Sequence, residues 1–116
     1  MFVNLTPHQI EIRTQLGGDE VRVTVPPTKP AARVSSTSSP LPVVEGVPVV
    51  TSPQWGQVEG LPAPETGVRY IVSALVLARC NGRSDVFAPA TGPQDGAIRD
   101  EKGQIVAVTK LVAAPE

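Results

Sequence analysis

His8 is the single histidine of a 116-residue chain, and histidine is the side chain whose ordinary pKa places a charge change near neutral pH. It follows Pro7 in Thr6-Pro7-His8-Gln9, a stretch with turn chemistry, and Asn4 and Thr6 stand close by. Such a histidine could donate to a ligand or act as a general base, given a reacting group within hydrogen-bond reach. The plainer reading is a turn histidine satisfied by backbone. Arg83 and Asp85 lie two apart, on one face if Ser84 is extended. They read either as a surface ion pair or as an arginine that Asp85 orients toward a phosphate or carboxylate. Cys80 is the one cysteine and sits in an apolar run, as a buried small hydrophobe would. A reactive thiol there would need a nearby cation, and Arg79 and Arg83 are the neighbours in sequence. Trp55, beside Gly56, reads as a loop tryptophan covering the core, with stacking on a ring as the alternative.

The remaining inventory excludes several chemistries. One His and one Cys give no ligand pair at zinc spacing. Asp95, Asp100 and Glu101 are loop acids outside any EF-hand pattern. No Walker lysine loop, dinucleotide glycine fingerprint or G-x-S-x-G elbow is present. No cofactor and no metal are therefore expected. The net charge is −1 and the cations are scattered, so no basic stripe exists for a nucleic-acid backbone. Aromatic residues are too few for a base-stacking platform. No apolar run reaches the roughly 20 residues of a membrane helix, and the N-terminus lacks the regions of a signal peptide. The expected location is the cytosol, or at least synthesis there.

The elements that must position these residues read as short strands within one domain, residues 1–116. Thirteen prolines, most of them between Pro26 and Pro64, exclude helix and long central strands from that region. Phe2–Leu5 is a short apolar run that pairs with the alternating strand Ile10–Thr14. Gly17-Gly18-Asp19 turns into a second alternating strand, Glu20–Val25. Ala32–Ser35 is a short strand. Residues 35–42 are a polar, exposed and flexible loop. Val43–Val50 forms two short strands around a Glu-Gly turn, and Gln57–Gly60 stays extended. Arg69–Val72 is a buried strand passing into a short helix over Ala74–Arg79, with Ser73 as its N-cap; a continuous strand from Arg69 to Ala78 stays open. Asn81-Gly82 is a turn, Ser84–Pro89 a further strand, and Ile98–Val108 a hairpin tipped by Asp-Glu-Lys-Gly. Residues 113–116 are a loose tail. The fold class is mainly β: a small single-domain sandwich or partly open barrel of short antiparallel strands with at most one short helix. Open strand edges in such folds are commonly covered by another subunit, so a homo-oligomer is expected.

Asn4-Leu5-Thr6-Pro7-His8-Gln9-Ile10 resembles the N-L-T-P-H-x-I opening of a family of small, largely uncharacterised proteins from phages and prophage-bearing bacteria. Tyr70–Val76, Arg83-Ser84-Asp85-Val86 and Ile98–Gly103 resemble the second half of the same family. The resemblance implies a phage or mobile-element origin and picks out Asn4, Thr6, His8, Ser73, Arg83 and Asp85 as its polar pattern. Brought together by the fold, they would make a ligand-binding pocket for a small anionic or nucleotide-like molecule. The leading expectation is a non-enzymatic phage accessory protein that binds such a ligand, sequestering a nucleotide-like immune signal, or that binds a host or phage protein. The alternatives are a virion component, such as a capsid decoration or head-completion protein, and a small nucleotide hydrolase using His8.

Overall fold

The computed structural model describes residues 1–28 and 30–115. In chain order the strands are β1 (Phe2–Asn4), β2 (Ile10–Leu16), β3 (Asp19–Val25), β4 (Arg33–Thr37), β5 (Pro40–Val44), β6 (Val47–Val50), β7 (Gln54–Glu59) and β8 (Arg69–Ile71). A short helix, α1 (Ala74–Leu77), follows, and then β9 (Val86–Pro89), β10 (Ile98–Arg99), β11 (Ile105–Ala107) and β12 (Leu111–Ala113). The protein is mainly β, and its sheets do not close into a barrel among the described residues. Among the described residues, no helix is long and apolar enough to cross a membrane.

The central sheet has the order β1-β8-β9-β12. Strands β1, β8 and β9 run parallel, and β12 pairs antiparallel with β9. Parallel neighbours need a crossover, and the β8–β9 crossover carries α1. Tyr70 and Val72 point to one face of this sheet, where Val76, Leu77, Val86 and Ala88 complete a buried cluster. Ile71 points to the other face and meets Ile10, Ile12 and Val25 from the β2–β3 hairpin, with Val108. The alternation of Cβ directions along a strand places these neighbours on opposite sides. The sheet is thus covered by a helix on one face and a hairpin on the other, which fits a sandwich reading.

The β2–β3 hairpin follows its sequence pattern: Ile10 and Ile12 are buried and Glu11 and Arg13 are less so. The predicted pairing of Phe2–Leu5 with this strand does not form. Phe2, Val3 and Asn4 instead lie beside Arg69, Tyr70 and Ile71. The corner at Asn4–His8 sends the chain into the next layer, where Ile10 and Ile12 find apolar cover on the far side of Ile71. At Tyr70–Cys80 the strand passes into a helix. Ser73 is extended at φ −68° and ψ 159°, and its hydroxyl accepts from Val76 N at 3.3 Å. The strand predicted from Ser84 begins at Val86, and Ser84-Asp85 is a turn. The hairpin at residues 98–108 forms, with Asp100 Oδ1 accepting from Lys102 N and Gln104 N at its tip.

Two expectations for irregular structure are corrected. Residues 35–42 are exposed, as expected, but largely strand: β4 continues to Thr37 and β5 starts at Pro40. Their order comes from the opposing segment, since Ser36 and Thr37 face Trp55 and Gln54 while Pro40 and Leu41 face Val50 and Val49. The tail is tied down as far as Pro115. Ala113 pairs with Phe87, Ala114 N donates to Val86 O at 3.3 Å, and Pro115 O accepts from Gly82 N at 2.9 Å. Glu116 lies outside the described residues.

Strands β4 to β7 form one two-stranded ribbon from Arg33 to Glu59, joined at Ser39–Thr51, where Ser39 O accepts from Thr51 N at 2.8 Å. Its base is anchored by Val34 and Val58, which pack on the main core cluster, and by Arg79, whose guanidinium lies 5.2 Å from the Trp55 ring centroid. Trp55 is therefore a strand residue under a cation, rather than a loop cover for the core. The rest of the ribbon projects. The radius of gyration is 17.1 Å, against about 13 Å for a compact chain of 100 residues. At the tip, Glu45 and Gly46 both have positive φ, 48° and 80°, the backbone of a two-residue hairpin loop that favours Asn-Gly. Glu45 holds a left-handed conformation that costs an L-residue roughly 1–2 kcal/mol. Glu45→Asn is expected to stabilise the tip by about 1 kcal/mol, read as slower amide hydrogen exchange at Val44 and Val47. Unchanged or faster exchange would show that the turn does not limit tip opening.

Candidate functional site

The chain leaves β1 through a corner built on the Asn4 side chain. Asn4 is fully buried. Its amide nitrogen donates to His8 O at 2.7 Å and to Val25 O at 2.9 Å, while Oδ1 accepts from Thr6 N at 2.9 Å. Two carbonyls on one side and an N–H on the other fix which atom is nitrogen. The Thr6 hydroxyl lies 2.7 Å from Asn4 Oδ1 and 2.9 Å from His8 O, one proton facing two acceptors. The polar groups of Asn4 and Thr6 are thus engaged within the corner, and only the His8 ring and the rim of Thr6 face outward. His8 is exposed.

Thr6, His8 and Ser73 do converge. With Ile10, Pro89 and Thr91 they line a hollow of about 240 Å³, beyond the carboxyl ends of β1, β8 and β9. Ser73 reaches it because it caps α1 directly after β8. The hollow is small and largely apolar, and its one titratable group is His8.

Arg83 and Asp85 are placed elsewhere. Asp85 immediately precedes β9, and its carbonyl accepts from Tyr70 N at 2.8 Å. It therefore sits at the amino end of the parallel β8–β9 pair, opposite to the end that carries Ser73 and Pro89. Arg83 Nε and Nη2 meet the two Asp85 carboxylate oxygens at 2.9 and 3.0 Å, and Nη2 also donates to Pro62 O at 3.0 Å. This fork lowers the Asp85 pKa and raises that of Arg83, chiefly through the shared hydrogen bonds. The pair ties the loop before β8 to the turn before β9. Cys80 is buried; burial raises its pKa, and its thiol donates to Val76 O at 3.2 Å. That is the setting of a packed thiol rather than a nucleophile.

A larger polar hollow of about 420 Å³ lies on the β2–β3 hairpin, lined by Arg13, Gln15, Glu20 and Arg22 among others. Arg13 and Arg22 stand directly opposite each other in the register, an arrangement that repels. Each is offset by a carboxylate two positions before it, Glu11 at 2.9 Å and Glu20 at 3.4 Å. The four charges cancel, so the hollow has no net attraction for an anion. No group of three or more His, Cys, Asp or Glu among the described residues could hold a metal ion.

The surface that the sequence reading leaves unmarked is the ribbon tip. Leu41 faces Val49 and Val44 faces Val47. Directly opposed residues share a face, so these four make one aliphatic face. Pro40 and Val50 lie on the other. Leu41, Val44, Val47 and Val50 are 46, 56, 58 and 59% exposed. The edges are blunted. Ser39–Thr51 is a hydrogen-bonded position, so Pro40 and, by alternation beyond Leu41–Val49, Pro48 direct their missing donors outward. A partner cannot readily add a strand to such edges; what the tip offers is its faces. The sequence signal was present in Val43-Val44 and Val49-Val50. Consecutive valines in a two-stranded ribbon put apolar side chains on both faces, with no core to receive them. No family model, curated protein or solved structure matches this chain.

Proposed function

We propose that this protein works by binding another protein chain, and that the Arg33–Glu59 ribbon is the binding element. The observation that carries this is the tip: aliphatic on both faces, exposed, and blocked by proline at its edges. An isolated two-stranded hairpin is marginal in water, and exposed contiguous apolar surface marks interaction sites. A nucleotide-like ligand would need a cation beside the His8 hollow, and Arg83 is held by Asp85 at the opposite end of the β8–β9 pair. The resemblance of residues 4–10 to a phage family supports seeking the partner among phage or host proteins, in an accessory or a virion role.

The test is site-specific photo-cross-linking in the producing cells, with the cross-linking residue placed at Val44, at Val47, or at the exposed control position Thr24. A discrete protein adduct is expected from Val44 and Val47 and not from Thr24. Absence of an adduct at the tip, or equal adducts from all three positions, overturns the proposal.

A further inference from the structure

The central sheet ends at β12, the last strand in the order β1-β8-β9-β12. Ala90 N donates to Lys110 O at 3.1 Å, and Ala114 N donates to Val86 O at 3.3 Å. Leu111 lies opposite Pro89, Val112 opposite Ala88 and Ala113 opposite Phe87. In that register Val112 turns its N–H and C=O inward to β9, while Leu111 and Ala113 turn theirs outward. Among the described residues, no other segment's backbone bonds to these outward groups. The opposite edge differs, because Asn4 of β1 bridges to Pro27. The ribbon edges carry Pro40 and Pro48, whereas β12 itself, Leu-Val-Ala, has neither a proline nor a charge to blunt it. Beside this edge a groove of about 440 Å³ runs between α1 and β12, lined by Leu77, Ala78, Ala88 and Val112 among others. Val112 shares a face with Ala88, and Ala88 belongs to the buried cluster under α1. A residue placed opposite Val112 on an added strand would therefore turn its side chain to the groove side. The ionisable group lining the groove is Asp95, and it stands 3.8 Å from Lys110. Charge thus does not select the occupant; the unpaired backbone does.

We propose that the β12 edge takes an extended peptide segment of another protein as an added strand of the central sheet. The segment pairs its backbone with the outward groups of Leu111 and Ala113. Its residue opposite Val112 sets an apolar side chain into the groove against Leu77 and Ala78, where alanines leave depth for it. In strand addition the main-chain bonds supply affinity and the pocket for alternate side chains supplies specificity. This surface is separate from the ribbon tip and does not depend on the reading of that element.

The probe is a library of short random peptides displayed on yeast and selected on the purified chain. Peptides with alternating apolar residues are expected to enrich. The control is Ala113→Pro, at an exposed position, which removes one outward N–H and leaves the bonds to β9 in place. An enriched peptide, made synthetically, is expected to bind this variant about tenfold more weakly, as for the loss of one backbone hydrogen bond. Ala78→Glu, also exposed, is expected to weaken the same peptide by setting a charge in the groove, and circular dichroism checks that both variants keep their fold. In the free chain the amides of Leu111 and Ala113 should exchange with solvent quickly and that of Val112 slowly. Bound peptide should slow the first two. No enrichment, equal binding to Ala113→Pro and Ala78→Glu, or unchanged exchange at Leu111 and Ala113 overturns the proposal. Protection of those two amides that rises with chain concentration and without peptide also overturns it, since a second copy would then hold the edge. Cross-linking at Val44 and Val47 is read independently of all these outcomes.

Discussion

Replacing Asn4 with alanine is expected to cost about 3 kcal/mol or more of unfolding free energy in urea, from the penalty of roughly 1–3 kcal/mol for each buried polar group left without a partner. The side chain is fully buried and bridges three backbone groups: Thr6 N, His8 O and Val25 O. Alanine leaves Thr6 N and Val25 O without the bonds that the amide supplied and offers nothing in return. His8 O keeps only what the single Thr6 proton can give. The loss would be a large share of the 5–15 kcal/mol typical of a domain. Asn4→Asp makes the same point electrostatically. A carboxylate would face two carbonyl oxygens, so the folded protein would favour the neutral acid and raise its pKa above the ordinary value of about 3.9. The folded state then binds more protons than the unfolded one, and stability falls as pH rises through and above that value. Asn4→Asp should therefore lie closer to wild type near pH 4 than at pH 7. A cost for Asn4→Ala below about 1 kcal/mol would show that water or a neighbour can replace the amide.

The Arg83–Asp85 fork should be the other large single contribution. Arg83→Ala removes both bonds to a carboxylate whose side chain is 14% exposed, together with the bond to Pro62 O. Hydrogen bonds to charged groups contribute about 1.5–3 kcal/mol, and a loss of about 2 kcal/mol is expected. Arg83→Lys should recover only part of it, because an ammonium cannot present a planar fork. The pH dependence has a definite sign. The folded Asp85 pKa is lowered by the Arg83 hydrogen bond, so the unfolded state binds the proton more readily. The contribution is complete above the unfolded value of about 3.9 and is lost as pH falls through the lower folded value. Wild type and Arg83→Ala should therefore converge in strong acid. A difference that stays constant across that range would assign the effect to packing against Pro62 instead of to the ion pair.

Local patterns in the sequence were legible where the partner of a segment is its own neighbour. Ile10, Ile12 and the β3 valines announce a half-buried hairpin. Glu45-Gly46 and the Asp100–Gly103 tip announce turns, while Ser73 offered a helix start beside the open alternative of a continuous strand. The parallel pairing of β1 with β8 was not legible, because Phe2-Val3 carries an apolar signature but no record of which distant strand it meets. Asn4, Thr6, His8, Ser73, Arg83 and Asp85 were singled out by the resemblance to a phage family. The first two and the last two are largely consumed by bonds within the fold, and only Thr6, His8 and Ser73 share a hollow. Hydrogen-bond consumption is a property of the folded neighbourhood and leaves no trace in residue type. The ribbon shows the reverse: ordinary valines, unremarkable in a list, become the conspicuous surface once both faces of their strands are seen to lack cover.

The parallel arrangement of β1, β8 and β9 also bears on how the chain reaches this structure. Hairpins β2–β3, β5–β6 and β10–β11 close over short loops and can form early. The central sheet cannot, because Phe2 must wait for Arg69, and Tyr70 for Val86. Loop-closure entropy must be met before those distant pairings return any stability, and chains dominated by such contacts fold slowly. During that wait the β5–β6 hairpin gains little from tertiary contacts, since an isolated two-stranded hairpin is marginal in water, and its valines stay exposed. Completion of the central sheet, whose core cluster receives Val34 and Val58 at the base of the ribbon, is therefore the step that fixes the ribbon in place.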